Sequence, residues 1–452
     1  MYTLSSKLKL TAIIFMIVGA LGLVYGFIAA PSTIEDVKEM MASEEGHQES
    51  ADTKIVNGDT HSTNPEQVES ENGTTSSAQA EDHGDEHYEH LLHQLQNKPW
   101  AALYVAAFFF FMISLGVLAF YALQYASQAG WSPVLFRVME SITAYLLPGG
   151  IIVFVILLLS GLHFNHLFTW MDPEVVANDE LIQNKSGYLN VPFFLLRAAF
   201  YLIGWNLFRY LLRRNSLRMD EATDNKWFKQ NFKLSAGFLV FFLITESMMS
   251  WDWIMSFDPH WFSTLFGWYV FASLIVSAIT VIALVTIYLK SRGYLENVND
   301  SHIHDLAKYM FGFSIFWTYL WFSQFMLIWY ANIPEEVTYF VTRIEDYNLP
   351  FFGMVVMNFV FPILILMNSD FKRTNLFVIM AGIIILLGHY LDIFVMVMPA
   401  TVGESWFIGV SEISALLLLA GLFIFVIFSA LTKAPLLPKG NPLIEESKHF
   451  HY

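Results

Sequence analysis

Cysteine is absent from this 452-residue sequence, and charge is scarce, with only 14% of residues Asp, Glu, Lys or Arg. The first absence excludes disulfides, cysteine-ligated iron–sulfur clusters and covalently attached c-type haem. The second excludes an ordinary soluble domain, in which about a quarter of residues are charged. No basic patch is available for nucleic acid. No Walker motif and no G-x-G-x-x-G between a strand and a helix are present, so nucleotide binding has no support. A membrane haem held by two histidines on facing helices is not expected either, because only His389 lies deep in an apolar run and His163 sits near the end of another. No solenoid-type repeat of 20–50 residues occurs.

What is present is apolar surface: 55% hydrophobic residues, 42 Phe, 20 Tyr and 13 Trp, with a mean hydropathy of +0.48. A bilayer core of about 30 Å needs roughly 20 apolar residues as a helix. Ten runs qualify: 9–30, 100–127, 138–163, 191–212, 232–251, 262–290, 309–331, 349–369, 375–398 and 406–432. Lys and Arg accumulate on the cytoplasmic side of membrane proteins. With the N-terminus inside and every run crossing, 18 basic residues fall inside and 5 outside, Arg197 alone lying within a span. Losing one span would move the cluster Arg209–Lys233 to the wrong face. The expectation is therefore an all-α integral membrane protein of ten transmembrane helices with both termini cytoplasmic. The first run is longer than the 7–15 apolar residues of a signal core and reads as a retained anchor over 1–30.

The net charge of −16 is concentrated, since residues 31–99 hold 16 acidic residues against three lysines. Residues 31–98 read as an acidic, low-complexity insert outside the membrane that cannot bury enough apolar surface to fold alone. His83, His87 and His90 share a helical face within it, but the reading is a solvated loop, and no metal is expected. Pro148-Gly149-Gly150 in the third run and Pro362 in the eighth are expected to kink their helices.

A charge at the centre of a span costs about 2.5–3.5 kcal/mol on insertion scales, so embedded ionisable groups need a reason. Counted from the outer helix ends, Arg197, Glu246, Asp392, Glu412 and His389 fall within one layer of the outer half, about 7–15 Å deep. His163, Asp252, Asp258 and His260 lie at or just beyond its edge. His389 and Asp392 are i and i+3 on one helix and project to the same side. A lone Arg197 needs a carboxylate, for which Glu246, Asp392 and Glu412 are candidates. The functional expectation is a polar cavity for protons formed by Arg197, Glu246, Asp252, His389, Asp392 and Glu412. The competing reading is a set of ion pairs that lock helices together.

The stretches Ser250–Tyr269 (SWDWIMSFDPHWFSTLFGWY) and Asp305–Glu336 (DLAKYMFGFSIFWTYLWFSQFMLIWYANIPEE) resemble the NrfD/polysulfide-reductase-like membrane subunits of bacterial alternative complex III. The resemblance extends over spans two to ten. It implies two four-helix bundles, over 99–251 and 252–398, flanked by the first helix and by a tenth helix with a cytoplasmic tail over 399–452. It also implies a menaquinol:acceptor oxidoreductase in the bacterial inner membrane, delivering electrons to cytochrome c or a terminal oxidase. Its haem c and iron–sulfur groups would lie in partner subunits, alongside a paralogous NrfD-like subunit that binds quinol. This chain would carry no cofactor and act as scaffold and proton route. The N-terminal anchor, the acidic insert and the start MYTLSSKLKL are similar to the second paralogue, the one without the assigned quinol site. Direct quinol binding near His163, Asp252 or His260 is the alternative within the family, and an aromatic-lined slot would favour it. A stand-alone ion or solute carrier is the alternative outside it, marked by discontinuous helices and inverted repeats.

Overall fold

The structure, a computed structural model, describes residues 2–41 and 77–451; within the latter, side chains are described for 88, 89 and from 91 onward. The histidine face His83, His87 and His90 lies outside the described side chains. Ten helices are long and apolar enough to cross a membrane: Ser6–Ala29, Leu91–Ala126, Pro133–Gly161, Val191–Met219, Lys226–Phe257, Phe266–Ser291, Asp300–Ala331, Asn348–Leu366, Asn375–Val402 and Val410–Leu431. All ten expected spans are there, and no strand occurs among the described residues. The protein is a multi-pass, all-helical membrane protein.

Spans two to five form a closed ring in which each helix packs on the next and the fifth returns to the second. Spans six to nine repeat the arrangement, with the ninth returning to the sixth. The rings join through spans two and six, whose most apolar windows are 94% and 89% buried. The tenth span packs on the second and third, and the first span packs almost entirely on the tenth. That last contact uses small residues to bring backbones together, as lipid-embedded helices do. A Cβ on Gly19 would collide with the backbone of Leu418.

Helix ends follow local chemistry. Asn190 caps the fourth span by accepting from the Phe193 N–H at 3.0 Å. Asn332 ends the seventh in a left-handed conformation that asparagine tolerates. The second span begins far ahead of its apolar run: one helix runs from Ser77 to Ala126, so the end of the acidic insert continues into the membrane helix. The two prolines act where their missing N–H frees a carbonyl four residues earlier. Before Pro148 the third span is interrupted by a 3-10 turn over Thr143–Tyr145. Before Pro362 the eighth contains a π-turn over Val356–Val360.

The loops gather at two ends. At the basic-rich end a buried network joins helices three and four: Arg137 binds Glu140 at 2.9 Å and Asp220 at 2.5 Å, while Tyr121 and Arg213 also reach Glu140. The C-terminal tail lies across this end, with Ser447 donating to the Trp131 carbonyl at 2.7 Å. At the basic-poor end Asn97 bridges the carbonyls of His166 and Thr401.

Candidate functional site

The expected single cavity resolves into separate centres, with no described hydrogen bond or ion pair between the two halves' carboxylates. In the first bundle Arg197 of span four meets Asp252 of span five through two parallel bonds, Nε–Oδ2 at 2.8 Å and Nη2–Oδ1 at 2.9 Å. The Tyr201 hydroxyl adds a third donor to Asp252 at 3.1 Å. The remaining guanidinium edge donates to the Tyr188 carbonyl at 3.0 Å and stacks over the Tyr188 ring. Arg197 and Asp252 are 5% and 0% exposed, so this is a desolvated, fully satisfied bidentate pair. Its carboxylate is Asp252, not Glu246, Asp392 or Glu412, because the fifth helix runs on to Trp253 and carries Asp252 into the packed interior.

Glu246, on the same helix, is buried with no described hydrogen-bond or ionic partner. Glu412 does not face a shared cavity. The tenth helix begins only at Val410, which puts Glu412 in the first turn, where its side chain reaches back to accept from the Gly409 N–H at 2.8 Å.

The second bundle holds a different kind of centre. Asp392 of span nine accepts on Oδ1 from the Tyr269 hydroxyl of span six. Its Oδ2 accepts from Ser273 Oγ and Trp317 Nε1, both at 2.9 Å. His389 lies one turn away, Nδ1 being 3.3 Å from Asp392 Oδ2 and 2.9 Å from Ser273 Oγ. Asp392, His389 and Trp317 are all 0% exposed. The serine hydroxyl has one proton. If it goes to Asp392, Nδ1 of His389 carries the ring proton and points it at this acceptor pair. Nε2 is then the free face of the imidazole, buried and without a protein partner. No lysine or arginine is bonded to this carboxylate among the described residues.

The π-turn of span eight brings Asn358 to 3.5 Å from His389 Nδ1. Gly388 makes room for it, since a Cβ there would collide with Asn358 Oδ1. The hydroxyls of Ser277 and Ser314, on the same helix faces as Ser273 and Trp317, are buried without partners, as is Asn358 Oδ1. Polar atoms of this kind are where proteins hold ordered water.

A cavity of about 430 Å³ opens at the basic-poor end, between the 162–190 loop, the 254–261 segment and a surface helix, Pro334–Glu345. Its lining includes Trp261, Tyr339, Phe257, His260 and Arg343. Trp261 and Tyr339 stack face to face at 3.9 Å. Below it lies a void of about 10 Å³, lined by Tyr269 and Gln324 and sharing Tyr339, Arg343 and Met396 with the larger cavity. That is near the room one water molecule needs. Tyr269 thus stands between this void and Asp392.

Of the three quinol candidates, only His260 lines the cavity. It pairs with Asp179 at 2.6 Å, and the Ile182 N–H, with His260 behind it, holds the Asp179 carboxyl below the usual carboxylate range. Asp252 is committed to Arg197. His163 is an exposed residue in a left-handed turn after span three and does not line the cavity. Tyr269, Ser273, Trp317, Asn358 and Arg343 escaped the sequence reading. Tyr269, Ser273 and Ser277 recur at i, i+4 on a largely apolar helix, which was the available signal for the first two.

No family model matches the chain, and no curated protein matches it.

Proposed function

We propose that this chain is an integral subunit of a quinol-oxidising respiratory complex of the alternative complex III kind, serving as scaffold and proton route without a redox group of its own. The motifs over 250–269 and 305–336 support the complex, and with it a bacterial cytoplasmic membrane and cytoplasmic termini. In this reading the partners are a paralogous quinol-binding subunit, an iron–sulfur subunit and c-type haem subunits, the last passing electrons to cytochrome c or a terminal oxidase.

The observation that carries the proton route is the Asp392 centre. A buried carboxylate served by hydroxyls, an indole and an imidazole, rather than by a fixed cation, can exchange a proton without leaving a bare opposite charge behind. Intramembrane ionisable groups of this kind mark relays in pumps and transporters. The route runs from the outer cavity through the one-water void to Tyr269, Asp392 and His389. Beyond His389 it continues toward the partnerless polar atoms of Asn358, Ser277 and Ser314.

Direct quinol binding is the second reading, favoured by the aromatic wall of the outer cavity and His260 at its rim. The carrier reading asked for inverted repeats. Two successive rings of four helices start on the same side of the membrane, so their repeat is parallel.

Purification through this chain tests the complex. Haem-bearing and iron–sulfur companions with quinol-dependent reduction of cytochrome c are expected. Isolation as a lone subunit with no such companions overturns it.

A further inference from the structure

The outer cavity has an arginine at its floor that no described carboxylate pairs with directly, although Asp258 on the wall acts on it through its charge. Arg343 is 5% exposed. Its Nη1 donates to the Tyr339 carbonyl one turn back at 2.8 Å, and its Nε is buried with no partner. The guanidinium sits over the Tyr339 ring at 3.3 Å, and that ring is also stacked on Trp261. No carboxylate lies within ion-pair distance of it among the described residues. Asp258, the acid on the cavity wall, accepts from the His260 N–H at 3.1 Å and shares the adjoining pocket with Lys185.

A buried guanidinium with free N–H groups matches an oxyanion in charge and in fork geometry. Burial pulls its pKa below the ordinary arginine value, and an anion at the floor would offset that cost. A neutral quinol head would leave the guanidinium with only the more distant charge of Asp258. We infer that this cavity binds an oxyanion of the phosphate type, held by Arg343. Much of the rest of the wall, including Ile254, Phe257, Met396 and Pro399, is apolar. The surface helix beside it joins the ends of two membrane spans. Both features suit an oxyanion carried on an acyl chain, the headgroup of an anionic phospholipid. The inference does not depend on the proton route or on the complex.

The test uses the full chain in detergent micelles. Phosphatidylglycerol retention is read by native mass spectrometry and inorganic phosphate binding by calorimetry, for wild type, Arg343→Gln, Arg343→Lys and Ala400→Trp. Ala400→Trp fills the cavity while keeping the arginine and serves if the arginine variant fails to fold. At least a tenfold loss of lipid retention in Arg343→Gln and Ala400→Trp, partly restored in Arg343→Lys, is the expected result. The same pattern for inorganic phosphate alone keeps the site and makes its ligand a free anion. Equal binding of both probes by wild type and the cavity variants, or loss only against a menaquinol analogue, overturns it.

Discussion

The last helix of each four-helix bundle buries an aspartate, Asp252 in the first and Asp392 in the second, and the two surroundings are opposites. Asp252 is gripped by both arms of Arg197 and by Tyr201. Asp392 has three neutral donors and one imidazole. A permanent cation fixes its partner as an anion, because losing the proton partner's charge would strand a desolvated guanidinium. Neutral donors and a histidine impose no such condition. The first centre therefore locks two helices together, and the second meets the condition that the proposed proton route requires. The same residue type is held by a fixed cation in one bundle and by neutral donors and an imidazole in the other.

Removing one partner from the first centre should have the largest effect on folding. Arg197→Ala leaves a buried carboxylate without its cation and is expected to cost about 3–5 kcal/mol, read as loss of the folded fraction in a thermal or denaturant melt. The double change Arg197→Met/Asp252→Leu should recover most of that loss, as apolar replacements of buried pairs often do. If the double variant is no better than the single one, the pair is more than a lock.

Asp392→Asn should cost less, about 1–3 kcal/mol, since it mis-pairs hydrogen bonds without stranding a fixed cation. The melt would therefore rank it between wild type and Arg197→Ala. Glu412→Ala removes only a helix cap and should cost about 0.5–2 kcal/mol, with proton movement intact. Proton movement lost in Glu412→Ala would return that residue to the route.

The smallest effect concerns a contact away from both aspartates. His166 stacks on His93 with ring centroids 4.6 Å apart. Burial first, and then the neighbouring His93, pulls the His166 pKa below its ordinary value of 6.5. The folded state then binds fewer protons than the unfolded one, so this contact's contribution is present above about pH 6.5 and declines as pH falls below it. Hydrogen-exchange protection factors at 93–97 and 163–167, corrected for the intrinsic pH dependence of exchange, should fall on acidification, and His166→Phe should remove that dependence.

The spans were legible because each exceeds the length a bilayer demands, and the pairing of His389 with Asp392 followed from their spacing on one helix. The partners of those residues were not legible, since Tyr269, Ser273 and Trp317 come from two other helices. Asp252 was placed at the membrane edge because the apolar run ends before the helix does. Glu412 was placed too deep for the converse reason: the run starts at 406 but the helix starts at Val410. Arg343 was not singled out in the sequence, whereas the strongly amphipathic helix Pro334–Glu345 folds it inward against Tyr339. Which face a short surface helix presents depends on what it packs against, and one sequence carries no record of that.

The most direct test of the contrast between the two aspartates is proton uptake during quinol oxidation by the complex purified through this chain. It is measured in proteoliposomes carrying wild type or His389→Ala/Asp392→Asn. Electron transfer retained with proton uptake lost is the result expected of a relay at Asp392. Both activities retained would contradict it and leave the second centre, like the first, a structural lock.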